Sequence, residues 1–305
     1  WYLAVSGGVL VSRVTGRGRR GLYAYGILMI LPTIVMDGTI MGSNASIGAL
    51  ICICALFYLE SGAVWLFTIL AGALLLWNVK YIGLALVAMI LWKYKGLRFE
   101  QLAVLLVIGA ARFVYSFHAW FGAGYTLTTF HWANIYEIVG REAMQGQLFD
   151  PVATVGCFVA VGLLLLGVWV FCQGEWKLTK AVDETSEDAA TRKNGAEIQM
   201  LPVLRLLLFF GLAAGYFLPY MDQTYGYLFC VLAVILVLVK PKEFLLAAAL
   251  QIVTFAGYQE CVNGESMMPM WVFAVLQLLV LMYLCVKLLK EAKVVDLCVR
   301  KNWNI

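Results

Sequence analysis

The stretch Val152–Cys172, VATVGCFVAVGLLLLGVWVFC, contains no charged residue. A bilayer core takes about 20 predominantly apolar residues per helix, so this segment has the length and polarity of a membrane span. Leu206–Pro219 and Trp271–Val286 are equally free of charge. The 305-residue chain follows suit, with 63% hydrophobic and 13% charged residues, against roughly 45–50% and about 25% in a soluble domain. A water-soluble core does not absorb that much apolar surface. The alternating segments of about ten residues that mark a membrane barrel are absent, which leaves helices.

Apolar segments recur at roughly 1–12, 22–36, 45–59, 63–77, 79–92, 101–120, 152–172, 202–220, 225–239, 244–259 and 270–289, which predicts an all-α polytopic transmembrane helix bundle of about 9 to 11 crossings. The chain opens at Trp1 in what reads as the second half of a span. The expectation is therefore a single transmembrane domain over 1–305 that lacks its N-terminal spans. The 173–200 loop, with Asp183, Glu184, Ser186, Glu187 and Asp188, is polar enough to be mobile. Residues 290–305 read as a tail.

Lys and Arg gather on the cytoplasmic side of short loops. Of the 22 basic residues, all but Lys80, Arg112 and Arg141 fall in alternate connections or the tail: 13–20, 93–98, 173–205, 240–243 and beyond 286. Those segments are expected to be cytoplasmic. Arg17-Gly18-Arg19-Arg20 then reads as an anchor beside a span, and no nucleic-acid role is expected. The opposite face carries residues 37–44, 122–151, 220–225 and 260–269, where chemistry is expected.

An ionisable group at membrane depth is costly unless it faces protein or water, so each is a candidate. Arg112 sits inside span 101–120, and its planar guanidinium suits a lipid-linked phosphate as well as a structural ion pair. Lys80 breaks the positive-inside pattern and offers a second cation to an anionic substrate, or is a plain loop lysine. Asp37, Glu137, Glu142, Asp150, Asp222, Glu260 and Glu265 are the carboxylates of the non-cytoplasmic face, any of them a possible general base. His118 and His131 have no third ligand at metal spacing, so no metal is expected. The eight cysteines are scattered and read as packing residues. Gly211 and Gly215 form a Gly-x-x-x-Gly pair that permits close helix contact.

Three patterns resemble the bacterial multi-span glycosyltransferases of the GT-C superfamily, in the branch related to the eukaryotic GPI mannosyltransferase that adds the second mannose. Pro32-Thr33-Ile34-Val35-Met36-Asp37-Gly38-Thr39-Ile40-Met41-Gly42-Ser43-Asn44-Ala45-Ser46-Ile47 occupies the frame of a span-ending Pro followed by Asn-Ser-Ala-x-Trp-Gly-Gln-Cys-Asp-Ser-Ile. His131-Trp132-Ala133-Asn134-Ile135-Tyr136 is similar to Asn-Ala-Pro-Asn-Ile-Tyr. Leu218-Pro219-Tyr220-Met221-Asp222-Gln223-Thr224-Tyr225-Gly226 is similar to Leu-Pro-x-Met-His-Asp-Arg-Tyr-Gly. The acid of the first pattern falls on Ala45, and the His, Asp and Arg of the last fall on Asp222, Gln223 and Thr224.

The resemblance implies a GT-C-like bundle in the bacterial plasma membrane. It implies transfer of a mannose-like hexose from a polyprenyl-phosphate donor to an envelope glycan or lipid acceptor, with the lipid-linked sugar and membrane lipids as partners and no further cofactor. Asp37 and Asp222 are the candidate catalytic acids or bases. Lys80 and Arg112 are candidates for the phosphate, and His131, Asn134, Tyr136 and Tyr225 for the substrate. The alternative is a catalytically degenerate relative that serves as a scaffold or partner for envelope-glycan pathway proteins. A transporter ranks third, because paired inverted halves are absent.

Overall fold

The computed structural model describes residues 1–122, 127, 129–139, 151–176, 179–180 and 197–294. Its helices are α1 (Tyr2–Thr15), α2 (Gly18–Ile30), α3 (Pro32–Val35), α4 (Ala45–Glu60), α5 (Val64–Trp77), α6 (Ile82–Lys93), α7 (Phe99–Gly122), α8 (Tyr136–Val139), α9 (Pro151–Cys172), α10 (Met200–Phe217), α11 (Tyr225–Val239), α12 (Phe244–Asn263) and α13 (Met270–Glu291). Four two-residue strands make two pairs. β1 (Thr129–Phe130) lies parallel to β4 (Met221–Asp222), and β2 (Thr179–Lys180) antiparallel to β3 (Glu197–Ile198).

Burial sorts the helices by depth. Every residue of α11 from Tyr225 to Leu236 is buried, and α10 is buried on almost all sides, the pattern of helices enclosed by others. At the rim, Val107 and Val114 of α7 and Val155, Phe158 and Trp169 of α9 are exposed. An apolar surface of that extent drives association in water but matches lipid. Phe99–Trp120, Pro151–Cys172, Met200–Phe217, Pro241–Asn263 and Met270–Glu291 are long and apolar enough to cross a membrane. The chain is an all-α, multi-pass membrane protein. The bent pair Gly18–Ile30 and Pro32–Met41 makes a sixth candidate, and Tyr2–Thr15, Ala45–Glu60, Val64–Trp77 and Tyr225–Val239 are apolar but shorter. Fewer segments therefore reach span length than the about 9 to 11 crossings expected from the apolar pattern.

Lipid tails are as apolar as leucine, so helices here associate through close packing. α1 and α2 cross at Gly8 and Gly21: a Cβ on Gly21 would sit 2.5 Å from the Gly8 carbonyl oxygen. Gly211 does the same for α10, because a Cβ there would meet the Phe229 ring at 2.3 Å.

Two sequence expectations change. Segment 22–36 is not one helix. Pro32 has no N–H to donate and forces Leu31 out of the helical region, to φ −61° and ψ 125°. The chain restarts with Pro32 in the first turn of α3, bent by 48°, and widens into a π-helical turn over Met36–Met41 that Gly42 closes at φ 60°. The second change is Arg205, counted with the loop before α10 but buried within that helix. Its guanidinium donates to Glu243 at 2.6 Å and also to Glu291, while Lys287 and Tyr283 donate to Glu243. Two carboxylates and a second cation make burial of that charge tolerable.

Of the 173–200 loop, residues 177–178 and 181–196 lie outside the described residues, as do 295–305 of the tail. The rest of the basic end is well connected. Arg20 donates to the carbonyls of Leu238 and Val239 at the end of α11, Arg13 pairs with Glu60 at 2.5 Å, and Glu175 N–H donates to the Ala292 carbonyl. The opposite end of the bundle carries Asp37, Lys80, the 129–139 segment, Asp222 and Glu260.

Candidate functional site

The π-helical turn holds Asp37 fully buried. Its Oδ1 accepts hydrogen bonds from Ser43 Oγ at 2.6 Å and from the Tyr258 hydroxyl of α12 at 2.7 Å. Oδ2 is buried and has no hydrogen-bond partner among the described residues. The Tyr227 hydroxyl is likewise unpartnered and feels the Asp37 charge.

Lys80 occupies the 3-10 turn Val79–Tyr81 between α5 and α6, where its N–H donates to Asn78 Oδ1 at 3.0 Å. Burial pushes the Lys80 amine below the ordinary lysine range, and the Asp222 and Asp37 carboxylates pull it partway back. Asp222 is exposed, and its Oδ1 accepts from the Thr224 N–H at 2.9 Å and hydroxyl at 2.5 Å in the turn that opens α11. The Tyr225 hydroxyl, buried and without a partner among the described residues, lies near Asp222 and Tyr81.

The 129–139 segment docks on the same end. Pairing of Phe130 with Asp222 fixes its register. Trp132, fully buried, donates from Nε1 to the Gly215 carbonyl at 3.0 Å. A Cβ on Gly226 would sit 2.6 Å from the Trp132 ring, and one on Gly257 2.4 Å from the His131 carbonyl oxygen. These glycines are thus places where backbones must approach closely. His131 at φ 57° and Tyr220 at φ 61° adopt the left-handed region beside the two strands. For residues with a side chain that is a strained conformation, held by the surrounding contacts.

The structure divides the sequence-derived candidates. Asp37, Lys80, Asp222 and Tyr225 fall at the same end of the bundle, where the Lys80 amine is influenced by both acids without an ion pair to either. His131 lies beside it, its Nδ1 3.4 Å from Glu260 Oε2. Asn134 and Tyr136 are used for docking: Asn134 Oδ1 accepts from the Tyr136 N–H at 3.1 Å, and the Tyr136 hydroxyl donates to the Phe217 carbonyl at 3.1 Å. Asn134 keeps a buried amide Nδ2 without a partner among the described residues. Arg112 stands over the Tyr115 ring at 5.0 Å on α7, a helix that packs on the Lys80 turn. Glu142, Asp150 and Arg141 lie outside the described residues. Among the described residues no three His, Cys, Asp or Glu gather at metal-binding distance.

Sequence reasoning missed Tyr258, whose hydroxyl donates to Asp37, and Tyr227. A signal existed, since Gln251, Thr254 and Tyr258 recur at helical spacing along an otherwise apolar segment. Fold and site together define a class: a multi-pass helix bundle with an ionisable cluster at one end of its central helices. No family model matches the chain, and no curated protein or solved structure matches it.

Proposed function

We propose that the chain is a GT-C-like membrane glycosyltransferase. It moves a mannose-like hexose from a polyprenyl-phosphate donor to an envelope glycan or lipid acceptor at the non-cytoplasmic face of a bacterial plasma membrane. The basic end of the bundle faces the cytoplasm, and the cluster around Lys80 faces away from it. One observation carries this reading: the fully buried carboxylate of Asp37 keeps an oxygen, Oδ2, without a partner among the described residues.

In the reaction a carboxylate takes the proton of the acceptor hydroxyl, whose oxygen forms the new bond to the anomeric carbon. The bond from that carbon to the phosphate oxygen breaks, and its electron pair leaves on the polyprenyl phosphate. Lys80, with Arg112 reaching the same anion, stabilises the departing charge. Asp222 is the second acid of the site, open to solvent. The Tyr225 hydroxyl and the Asn134 amide N–H are free to orient sugar hydroxyls, His131 borders them, and Tyr136 holds their segment in place.

The test is transfer from a radiolabelled polyprenyl-phosphate hexose in membranes containing the full chain. Asp37→Asn is expected to slow transfer by about 10²–10⁴-fold, whereas Glu100→Gln at the opposite end leaves it unchanged. Full transfer by Asp37→Asn overturns the proposal. A degenerate scaffold is the second reading, favoured by the bracing of Asp37 Oδ1 by Ser43 and Tyr258 and by Ala45 where the related pattern has its acid. That reading predicts no transfer by the wild-type chain.

A further inference from the structure

Beside α3 lies a cavity of about 300 Å³ lined by Pro32, Gln251, Phe255, Gln259, Met268 and Phe273, within the roughly 300–1,000 Å³ of small-ligand sites. Its rim residues Ile252, Met267 and Met268 are exposed. The cavity therefore opens to the outside of the bundle, beside α12 and the connection from α12 to α13. Its wall is apolar except at two points. Gln251 uses its Oε1 to accept from Thr33 at 3.1 Å, which leaves its Nε2 buried without a partner among the described residues. Two turns further along α12, Gln259 leaves its Oε1 buried and, among the described residues, without a partner. Buried polar groups facing hydrocarbon are rare because nothing there satisfies them.

We propose that this cavity binds an acyl lipid of the bilayer that carries a hydroxyl and an ester carbonyl, of the monoacylglycerol type. The hydroxyl donates to Gln259, the ester carbonyl accepts from Gln251, and the acyl chain fills the space between Phe255 and Phe273. A pure hydrocarbon or isoprenoid chain fills the volume but leaves both amides unsatisfied. A single water between them finds few other polar partners in this wall. Binding involves no bond making or breaking and does not depend on sugar transfer. It does lie close to the ionisable cluster, since Tyr258, which holds Asp37, adjoins Gln259 in α12.

The experiment uses the full chain in phosphatidylcholine nanodiscs and a monoacylglycerol probe with a diazirine on its acyl chain. Photolabel is expected on the peptide covering residues 244–273. Unlabelled monoacylglycerol should displace it about tenfold better than octadecane or a polyisoprenol, the worth of one to two hydrogen bonds. Gln259→Leu should remove that preference while hydrocarbon labelling persists. Ala256→Phe should abolish labelling, and Ala256→Leu, a milder filling of the same wall, should weaken it in protein that elutes as a single folded species. Label confined to other helices, equal displacement by polyisoprenol, or a preference that survives in both Gln251→Leu and Gln259→Leu each overturn the proposal.

Discussion

Gly257→Ala tests whether the 129–139 segment is seated on α12. In the interior of a helix, alanine is better than glycine by about 1 kcal/mol, so a solvent- or lipid-facing site gains from the exchange. At Gly257 the new Cβ would lie 2.4 Å from the His131 carbonyl oxygen, a backbone atom that cannot rotate aside. Overpacking of this kind costs about 1–3 kcal/mol, which meets or exceeds the propensity gain, so the expected net effect is a loss of up to about 2 kcal/mol. Gly162→Ala in α9, where a Cβ meets nothing within 4 Å, is the control and should be neutral or stabilising. Thermal unfolding in detergent, followed by tryptophan fluorescence, should lower Tm by a few degrees for Gly257→Ala, since about 1 kcal/mol corresponds to roughly 2 °C or less in a chain of this size. A Tm for Gly257→Ala at or above that of Gly162→Ala refutes the docking geometry.

At the basic end, Arg205→Met leaves buried Glu243 with Lys287 as its remaining cation and should cost about 3 kcal/mol or more. Adding Glu243→Gln should recover much of that in the same unfolding assay, and an unaltered Tm for Arg205→Met contradicts the network. Tyr258→Phe removes one donor from the Asp37 carboxylate and should destabilise by about 1.5–3 kcal/mol, again read as Tm. Because burial lowers the pKa of Lys80, its positive charge is lost at a pH below the usual lysine value of about 10.4. Binding of polyprenyl phosphate in nanodiscs should therefore weaken as pH rises toward that value, and Lys80→Arg should move the decline to higher pH. Identical pH profiles for the two proteins exclude Lys80 as the phosphate partner.

Much of the fold was legible because a bilayer imposes one strong rule, a run of apolar residues per span. Charge-free Val152–Cys172 and Trp271–Val286 fall inside α9 and α13. The break at Pro32 was less legible. Proline marks a possible kink, but the widened turn that follows depends on Gly42 and on Ser43 bonding back to Asp37. Arg205 was misplaced for a related reason: a charge near a span end reads as loop unless its distant partners, Glu243 and Glu291, are known. In the candidate site, Asp37, Lys80 and Asp222 stood out as ionisable groups at one face. Their neighbours Tyr258 and Tyr227 did not, because tyrosines in an apolar run look like packing until the tertiary contacts orient their hydroxyls. Asn134 and Tyr136 illustrate the reverse: Asn134 braces the segment internally, and the Tyr136 hydroxyl ties it to α10.

The cluster itself is open to a direct measurement, zero-length carbodiimide coupling of amines to carboxylates in the folded chain, read by mass spectrometry of linked peptides. Lys287 with Glu243, in contact at the opposite end, supplies the internal standard. Coupling of Lys80 to Asp222 or Asp37 is the predicted outcome. Lys80 coupled to other acids, or left uncoupled while Lys287 and Glu243 join, contradicts the gathering of those charges on which the proposed chemistry rests.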